Sequence, residues 1–337
     1  MSRIVYDSIV LLQSGENAKV GYNHLSYWIP IFLEINVKFS ILVRDRILYD
    51  KLKSYFELCH IICAPSVVEV EDNIFKFKNL KAIFYLSHHP KNIHLLNFSR
   101  FKHIFIGSEN SIRDSTLSKV IRAYDAIWLP SQAGVEKMSQ IEGLSTMEVI
   151  KIGKPQLLDL YSVKKKDNLV CVLSNFESLM SFVIMQTIIK YTFNHQLSVD
   201  FIITSKETYV LKAFYRKLDG LLAINAVECR VHRKIENAIF AGCQGVVCDL
   251  RTYREKFLMI NAPIYTYIPN EAFMQDFLKD KYISLDGLYL FSDLNRFEMF
   301  LNEGDFKKQE REAFAEYWIG KSYILNNTFE KLLRAIE

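Results

Sequence analysis

The sequence predicts an α/β protein with two doubly wound parallel sheets in series. Short apolar runs alternate with segments typical of helices from the beginning of the chain, which is the pattern of a parallel sheet covered by helices. A lysine run, Lys164 to Lys166, separates an earlier series from a later one and is typical of a solvated connector. The length of 337 residues is enough for two domains of ordinary size.

The first series predicts an N-terminal domain over residues 1–161. Strands are predicted at residues 8–12, 38–43, 60–63, 82–86, 103–107 and 125–129, each a short apolar run. The intervening pattern predicts a loop over residues 15–23 and helices over residues 24–34, 45–56 and 115–124. This rhythm indicates a Rossmann-like domain.

The second series predicts a C-terminal domain over residues 169–310, after a linker at residues 162–168. Strands are predicted at residues 169–173, 199–204, 245–248 and 263–267, with a helix at residues 252–260 before the last strand. Residues 307–337 have the pattern of an amphipathic helix. We treat residues 311–337 as a separate C-terminal helix.

The composition is that of a globular protein, with 50% hydrophobic and 24% charged residues. A formal net charge of +4 is compatible with an anionic nucleotide or an acidic membrane surface, but it is too small to indicate nucleic-acid binding. Neither a signal peptide nor an uncharged apolar run of transmembrane length is evident, so a cytoplasmic protein is expected. The cysteines lack metal-type spacing, which favours core positions in a reducing compartment.

The loop at residues 108–114 is the strongest candidate for a ligand site. It follows the predicted strand that stops at Gly107, and it carries Glu109, Arg113 and Asp114. Ligands of open α/β sheets bind outside the carboxyl ends of the strands. The position of this polar loop therefore predicts contact with a ligand.

The region around this loop resembles the CDP-glycerol glycerophosphotransferases, which build teichoic acids and related capsule polymers. That family has a Gly-His-Gly-Asp-Ser-Asp-Lys loop, a Tyr/Phe-Asp strand and a Gly-Gln-Ala segment. The corresponding parts here are Gly107 with the loop after it, Tyr124-Asp125 and Ser131-Gln132-Ala133-Gly134. Further matches lie in residues 22–30, in Lys91-Asn92-Ile93-His94-Leu95-Leu96 and in Ile152-Gly153-Lys154-Pro155-Gln156.

The resemblance covers most of residues 20–157 and is weaker afterwards. It implies a fold of the GT-B glycosyltransferase type, in which two Rossmann-like domains face a cleft. The first domain would bind the acceptor and the second the nucleotide donor, and the final helix would cross back to the first domain.

Several family side chains are replaced in this sequence. The family's catalytic histidine falls on Ser108, and its lysine falls on Arg113. The second domain lacks the family's Pro-His-Pro segment. Where the family has Asp-x-Ser-Ser at a donor-binding helix start, this chain keeps Asp249 and has Arg251 and Thr252 in place of the serines. The resemblance therefore implies the scaffold with a rebuilt active site.

The chemistry of transfer assigns candidate roles to these residues. An acceptor hydroxyl needs a base, and Glu109, beside Ser108, is the candidate. The leaving phosphate needs positive charge or helix amides, for which the candidates are Arg113, Asp249, Arg251, Thr252 and Arg254. The alternative interpretation is that Glu109 is a solvated loop residue and that Asp249 caps the helix at Thr252.

Three histidines are accessory candidates. His88 and His89 precede Pro90 at the end of a predicted strand and are an alternative source of a base. His94 resembles a family position, although a lone histidine between apolar residues is usually structural.

The leading interpretation is a transferase that moves a nucleotide-activated sugar or polyol-phosphate group to a cell-surface polysaccharide or lipid-linked acceptor. The resemblance implies a cytidine-based donor, metal-independent chemistry without a further cofactor, and peripheral contact with the inner face of the membrane. Nucleic acid is not an expected partner. The alternative is a non-catalytic GT-B-like scaffold or binding subunit of a capsule or teichoic acid complex.

Overall fold

The structure is a computed structural model of the chain. It describes residues 5–107, 119–139, 147–161, 164–173, 179–203, 208–225, 227–250, 252–279 and 285–325, and residues 330, 333, 334 and 336. The chain forms two compact units: unit 1 comprises Met1–Gln156 and Gly320–Glu337, and unit 2 comprises Leu157–Ile319. Whether parts of the chain fold independently at the predicted domain boundaries stays a prediction.

Unit 1 is built on a seven-stranded parallel sheet. Its strands are β1 (Val10–Ser14), β2 (Phe39–Val43), β3 (His60–Cys63), β4 (Ala82–Tyr85), β5 (Lys102–Phe105), β6 (Ala126–Leu129) and β7 (Glu148–Lys151). They lie in the order β3-β2-β1-β4-β5-β6-β7, and every pair is parallel. The strand order reverses between β1 and β4, which is the topological switch point of the sheet.

Helices cover both faces of this sheet. They are α1 (Ala18–Glu34), α2 (Arg46–Tyr55), α3 (Val67–Ile74), α4 (Pro90–Ile93), α5 (Gln132–Ser139) and α12 (Lys321–Leu325), with 3-10 helices at His94–Asn97 and Lys119–Ala123. A further 3-10 helix, Pro155–Leu160, contains the boundary between the two units. One core contains the side chains of β1 and β4 that face α1 and α2, and a second core lies on the opposite face with α3 and α5.

The predicted loop at residues 15–23 is wrong beyond Asn17, because α1 already begins at Ala18. The Asn17 side chain accepts hydrogen bonds from the backbone amides of Lys19 and Val20, both at 3.1 Å, and so caps the helix. Gly21 lies inside this helix at a close approach to α2: a Cβ there would lie 2.5 Å from the Leu48 side chain, which would have to shift.

Two glycines allow the carboxyl-terminal segment of unit 1 to pack closely against the rest of the unit. Gly153 and Gly320 both have positive φ, at 71° and 70°, which favours glycine. A Cβ on Gly320 would lie 2.0 Å from the Pro130 carbonyl oxygen, and a Cβ on Gly153 would lie 2.4 Å from the Ile324 side chain. Further along, Leu333 is buried in the core that also contains α1. The continuous helix predicted over residues 307–337 is therefore wrong at Gly320.

Unit 2 is built on a six-stranded parallel sheet. Its strands are β8 (Asn168–Leu173), β9 (Ser198–Ile203), β10 (Cys229–His232), β11 (Gly245–Asp249), β12 (Ile264–Tyr267) and β13 (Tyr289–Phe291). The order is β10-β9-β8-β11-β12-β13, with parallel pairing throughout. The order reverses between β8 and β11, so unit 2 repeats the topology of unit 1 with a switch point of its own.

The helices of unit 2 are α6 (Leu179–Asn194), α7 (Thr208–Asn225), α8 (Asn237–Phe240), α9 (Glu271–Lys279), α10 (Leu294–Glu303) and α11 (Lys308–Ile319), with a 3-10 helix at Glu255–Met259. The core between the sheet and helices α6, α7 and α10 is rich in phenylalanine and leucine. Arg311 of α11 is almost fully buried, and it is paired with Asp305, which also accepts a hydrogen bond from the Tyr289 hydroxyl at 3.0 Å. Burial raises the pKa of Tyr289 to about 12, so its hydroxyl remains a donor.

Candidate functional site

The carboxyl edge of the unit 1 sheet brings polar and aromatic side chains together at the switch point. The register pairs Gln13 of β1 with Tyr85 of β4, and Tyr85 with Phe105 of β5. These residues form one rung across three strands at the edge where a ligand of such a sheet binds. The residues that follow each strand therefore define the candidate site of this unit.

His88 lies three residues beyond β4 and is fixed by aromatic contacts. Its ring stacks on Phe105, with 4.2 Å between ring centroids and an angle of 11° between the planes. Its Nδ1 lies 3.3 Å from the hydroxyl oxygen of Tyr124, and the Tyr124 ring stacks on Phe105 at 5.4 Å. Phe105 and Tyr124 are buried, whereas His88 is half-buried, so a partly accessible imidazole rests on a buried aromatic support.

The backbone before His88 is held from β1. Gln13, which is fully buried, donates a hydrogen bond from Nε2 to Oδ1 of Asn92 at 3.2 Å. Asn92 donates from Nδ2 to the Ser87 carbonyl at 2.8 Å. This path crosses from the first strand of the sheet to the residue that precedes His88. The network was missed from the sequence because a lone Gln and a lone Asn carry no recognisable pattern.

A buried arginine ties the neighbouring loops together. Arg44 follows β2 and donates to the carbonyl oxygens of Lys91 and Pro65, at 2.9 and 3.0 Å. Burial lowers the pKa of Arg44, although its ordinary value is so high that the guanidinium remains charged. Its role is to hold the segment after β4 against the segment after β3.

The structure separates the other two histidine candidates from His88. His89 is the N-cap of α4, and its Nδ1 accepts a hydrogen bond from the Lys91 amide at 3.2 Å. It also packs against the turn after β1, because a Cβ on Gly15 would lie 2.8 Å from His89 Nδ1. His94 Nε2 lies 3.1 Å from Oε1 of Glu71 in α3, and its ring packs edge-on against Phe98. Both side chains therefore make structural contacts.

The loop at residues 108–114, which was predicted to carry the base, follows Gly107, a residue held by a hydrogen bond. The Gly107 carbonyl accepts a hydrogen bond from Trp28 Nε1 of α1 at 3.0 Å, and Gly107 has a φ of 70°. Ser108, Glu109 and Arg113 lie outside the described residues, so their predicted roles stay predictions.

A second histidine–tyrosine pair lies deeper in unit 1. His103 Nδ1 is 2.8 Å from the Tyr85 hydroxyl, and its Nε2 is 3.2 Å from the Phe98 carbonyl oxygen. Burial lowers the pKa of His103, so this imidazole stays neutral in the folded chain at neutral pH. Asp125, which belongs to the family-like Tyr124-Asp125 pair, accepts a hydrogen bond from the His103 amide at 2.7 Å. Asp125 therefore has a structural role.

The carboxyl edge of the unit 2 sheet carries a compact turn after β11. Oδ1 of Asp249 accepts hydrogen bonds from the Thr252 amide at 2.8 Å and from the Thr252 hydroxyl at 2.9 Å. The Thr252 hydroxyl oxygen in turn accepts from the Asp249 amide at 3.1 Å. β11 adjoins β8, so this turn lies at the unit 2 switch point.

The helix predicted at residues 252–260 is wrong. The amides of Thr252 and Tyr253 both bond to Asp249, and the regular element that follows is the 3-10 helix Glu255–Met259. The Asp249 side chain therefore caps a turn rather than an α-helix, and no α-helix amides point outward at Thr252. Arg254 is exposed and donates to the Tyr253 carbonyl at 2.8 Å, while Arg251 lies outside the described residues.

Unit 2 also contains a buried carboxylate that sequence reasoning missed. Asp200 of β9 has a side chain only 4% exposed, and it contacts His232 Nε2 at 2.7 Å and Arg230 Nε at 3.1 Å, both from β10. Asn168 donates to its other oxygen. The contact with Asp200 gives His232 a structural partner.

Among the described residues, no group of three or more His, Cys, Asp or Glu side chains is placed to hold a metal ion. The described helices include none that is both long and apolar enough to cross a membrane.

Comparison with known proteins defines the fold. No protein-family model matches the chain, and no curated protein matches it in sequence. The chain is similar in structure to the UDP-GlcNAc 2-epimerase of Methanocaldococcus jannaschii, with a TM-score of 0.53, 11% sequence identity, and coverage of 95% of this chain and 99% of that chain. It is also similar to the wall teichoic acid polymerase TagF, in a structure soaked with CDPG, with a TM-score of 0.53, 10% identity, and coverage of 99% and 90%.

These similarities extend over nearly the whole chain, and at such low identity they show the fold alone. The CDP-glycerol glycerophosphotransferase family itself is not confirmed. The predicted fold class is confirmed: two Rossmann-like doubly wound domains of the GT-B type, here with parallel sheets of seven and six strands.

Proposed function

We propose that this chain is a transferase that moves a nucleotide-activated sugar or polyol-phosphate group to a cell-surface polysaccharide or a lipid-linked acceptor. The proposal rests on one observation. At the switch point of each sheet, the carboxyl edge carries an ionisable side chain that is held by hydrogen bonds. The fold supports it, since one protein of similar structure is named for UDP-GlcNAc and another is a teichoic acid polymerase soaked with CDPG.

We assign donor binding to unit 2. The turn made by Asp249 and Thr252 fixes the backbone at the carboxyl edge, and Arg251 and Arg254 supply guanidinium groups, which suit phosphate oxygens. The charge of the leaving phosphate is then met by arginine, without a metal ion. A cytidine-based donor is the first to test, because the sequence resemblance points to one.

We assign acceptor activation to unit 1. Deprotonation of an acceptor hydroxyl needs a base near neutral pH. Glu109 is the candidate from the sequence, with Arg113 as a phosphate ligand, and His88 is the candidate from the described residues. A lipid-linked acceptor would bring the chain to the inner face of the membrane as a peripheral cytoplasmic protein.

The proposal is tested by nucleotide release. The purified chain is incubated with CDP-glycerol, UDP-GlcNAc and UDP-glucose, with glycerol or an N-acetylhexosamine as acceptor. We expect one donor to be consumed, and Arg251→Ala to lower kcat/KM by roughly 10-fold or more, because a charge-assisted contact to phosphate is lost. The matched control is Arg296→Ala, which removes an exposed arginine of α10. Equal rates with and without the chain for every donor would refute the proposal.

A non-catalytic scaffold is the second candidate. It is favoured by the Asp249 carboxylate, whose Oδ1 is already occupied by two hydrogen bonds within its own turn. A scaffold predicts that cytidine, uridine and guanosine nucleotides leave the melting temperature unchanged, whereas a transferase predicts a nucleotide-selective increase.

A further inference from the structure

A cavity of unit 2 lies at the amino edge of its sheet, opposite the edge that carries the Asp249 turn. Its volume is about 610 Å³, and it is lined by the residues at the beginnings of β8, β9 and β10 and by the end of α6. These strands are parallel, so their first residues share one edge. The six residues of β8 separate the two edges by roughly 17 Å. The amino-edge cavity is therefore distinct from the site assigned to the donor.

The buried side chain of Asn168 contributes a hydrogen-bond acceptor to this cavity. Asn168 lines the cavity and is 1% exposed, and its Nδ2 donates to a carboxylate oxygen of Asp200. A carboxylate only accepts hydrogen bonds, so this contact fixes which atom of the Asn168 carboxamide is the oxygen. Among the described residues, that oxygen, Oδ1, has no hydrogen-bond partner. A hydrogen-bond donor on a ligand would satisfy it.

An aromatic ring lines the same cavity. Phe193, near the end of α6, is 50% exposed, and the half-buried Leu197 and Val227 add apolar surface. The face of an aromatic ring is partly negative, so it attracts the slightly positive C–H groups on the flat side of a sugar ring. Apolar and aromatic surface with a few placed polar groups is typical of small-molecule sites.

The charges around the cavity favour an uncharged ligand. The cations Lys166 and Arg230 are opposed by the carboxylates of Asp167 and Glu228. Both cations are also engaged: Lys166 Nζ donates to the Ala238 carbonyl oxygen at 2.7 Å, and Arg230 is paired with the buried carboxylate of β9. A phosphate needs positive charge that is not already balanced, so it is disfavoured here relative to a neutral ligand with hydroxyl groups.

We propose that the amino-edge cavity of unit 2 binds a neutral sugar ring. The flat C–H side of the ring lies on Phe193, and a hydroxyl group of the sugar donates to Oδ1 of Asn168. Oδ1 is covered in this structure, so binding includes a small movement of side chains at the rim. The inference goes beyond the proposed transfer reaction, because this cavity needs neither the nucleotide donor nor the base.

The first test is a sugar titration of the full chain, followed by saturation-transfer-difference NMR. Glucose, galactose and N-acetylglucosamine are the probes, and saturable binding of at least one is expected. Phe193→Leu should raise its Kd by about 5-fold or more, because the flat face is lost, whereas Phe193→Trp should keep the affinity within about 2-fold. The matched control is Phe75→Leu, which changes an exposed phenylalanine of unit 1 and should leave the Kd as it is.

Sorbitol distinguishes a ring from an open chain, since it has hydroxyl groups but no flat ring face. It should bind at least about 5-fold more weakly than glucose. Asn168→Ala should raise the Kd of the sugar by about 10-fold, after its circular dichroism and melting curve have shown that it is folded. If Asn168→Ala does not fold, the comparison of Phe193→Leu with Phe193→Trp decides.

Three results would overturn the inference. They are no saturable binding of any of the three sugars, equal Kd values for the wild type and Phe193→Leu, and sugar binding that excess CDP abolishes but Phe193→Leu does not. The last result would place the sugar at the donor site. If the chain consumes no nucleotide-activated donor but binds a sugar through Phe193, the proposed function fails and this inference stands.

Discussion

The carboxyl edges of the two sheets are organised in different ways. In unit 1, Gln13 of β1 and Asn92 hold the backbone before His88, and Phe105 of β5 and Tyr124 hold its imidazole. In unit 2, Asp249 and Thr252 hold each other within a single turn. The first edge therefore depends on tertiary packing, and the second on a local motif. Tertiary support is suited to positioning a base, whereas a local turn is suited to presenting backbone and arginine groups to a phosphate.

The largest effect on stability is expected for Asn92→Ala. The change removes the acceptor for Gln13 and the donor to the Ser87 carbonyl, and leaves both groups buried without these partners. A loss of about 3 kcal/mol in the unfolding free energy of unit 1 is expected. Urea unfolding is followed by the fluorescence of Trp28 and Trp128 in a Trp318→Phe background.

The control for this prediction is Asn97→Ala, at an exposed asparagine of the 3-10 helix that follows. It should change stability by less than about 0.5 kcal/mol. Equal effects of the two changes would mean that the hydrogen bonds from Gln13 through Asn92 to Ser87 do not stabilise the carboxyl edge of unit 1. The contrast between the two carboxyl edges would then disappear.

A smaller effect is expected for Thr252→Val. This change keeps the side-chain shape and removes the hydroxyl that bonds to the Asp249 amide and carboxylate. Unit 2 should lose about 1–2 kcal/mol, measured by urea unfolding with Trp318 as the reporter in a background without the other two tryptophans.

The matched control is Thr252→Ser, which keeps the hydroxyl and should cost less than about 1 kcal/mol. Since the motif is local, neither variant should alter the unfolding of unit 1. A destabilisation of unit 1 by Thr252→Val would show that the turn is not the self-contained element described above.

The smallest effect concerns pH. Burial lowers the pKa of His103, so the unfolded chain binds a proton at a higher pH than the folded one. Unit 1 should keep this contribution above the unfolded-state value of about 6.5 and lose it progressively as the pH falls toward the lowered value. Burial also lowers the pKa of His60, which adds to the same slope.

His103→Gln should flatten the dependence of unit 1 stability on pH below about 6.5. His195→Gln, which changes a histidine of unit 2, should leave the unit 1 slope as it is. If His103→Gln left the pH dependence of unit 1 stability unchanged, the buried His103–Tyr85 pair would not be a source of that dependence.

The strands of the two sheets were easier to predict from the sequence than the side-chain contacts at their carboxyl edges. Apolar runs such as those around residues 82–86 and 169–173 identified central strands, because strands covered on both faces are continuously hydrophobic. β10 was missed since Arg230 and His232 interrupt its apolar pattern, and their partner Asp200 lies 30 residues away or more along the chain. The start of α1 was missed because Asn17 and Gly21 resemble loop residues until their contacts are known.

The candidate site was only partly predictable for a related reason. Its position at the carboxyl ends of strands follows from the alternation of strands and helices, and His88 was named on that basis, whereas Asp249 was named from the family resemblance. The difference between His88, His89 and His94 depends on ring stacking and on partners far along the chain. Such contacts leave no periodic trace in one sequence. Similarly, Asp249 could be a cap or a ligand until its bonds to Thr252 were seen.

A thermal-shift titration with nucleotides is the decisive test of donor binding by this chain. The chain is heated with CMP, CDP, UDP and GDP over a range of concentrations, alongside Arg251→Ala and Asp249→Asn. A donor site predicts a concentration-dependent increase in melting temperature for one nucleotide base above the others, and a weaker increase in Arg251→Ala. An unchanged melting temperature with every nucleotide at millimolar concentration would contradict a donor site in this chain.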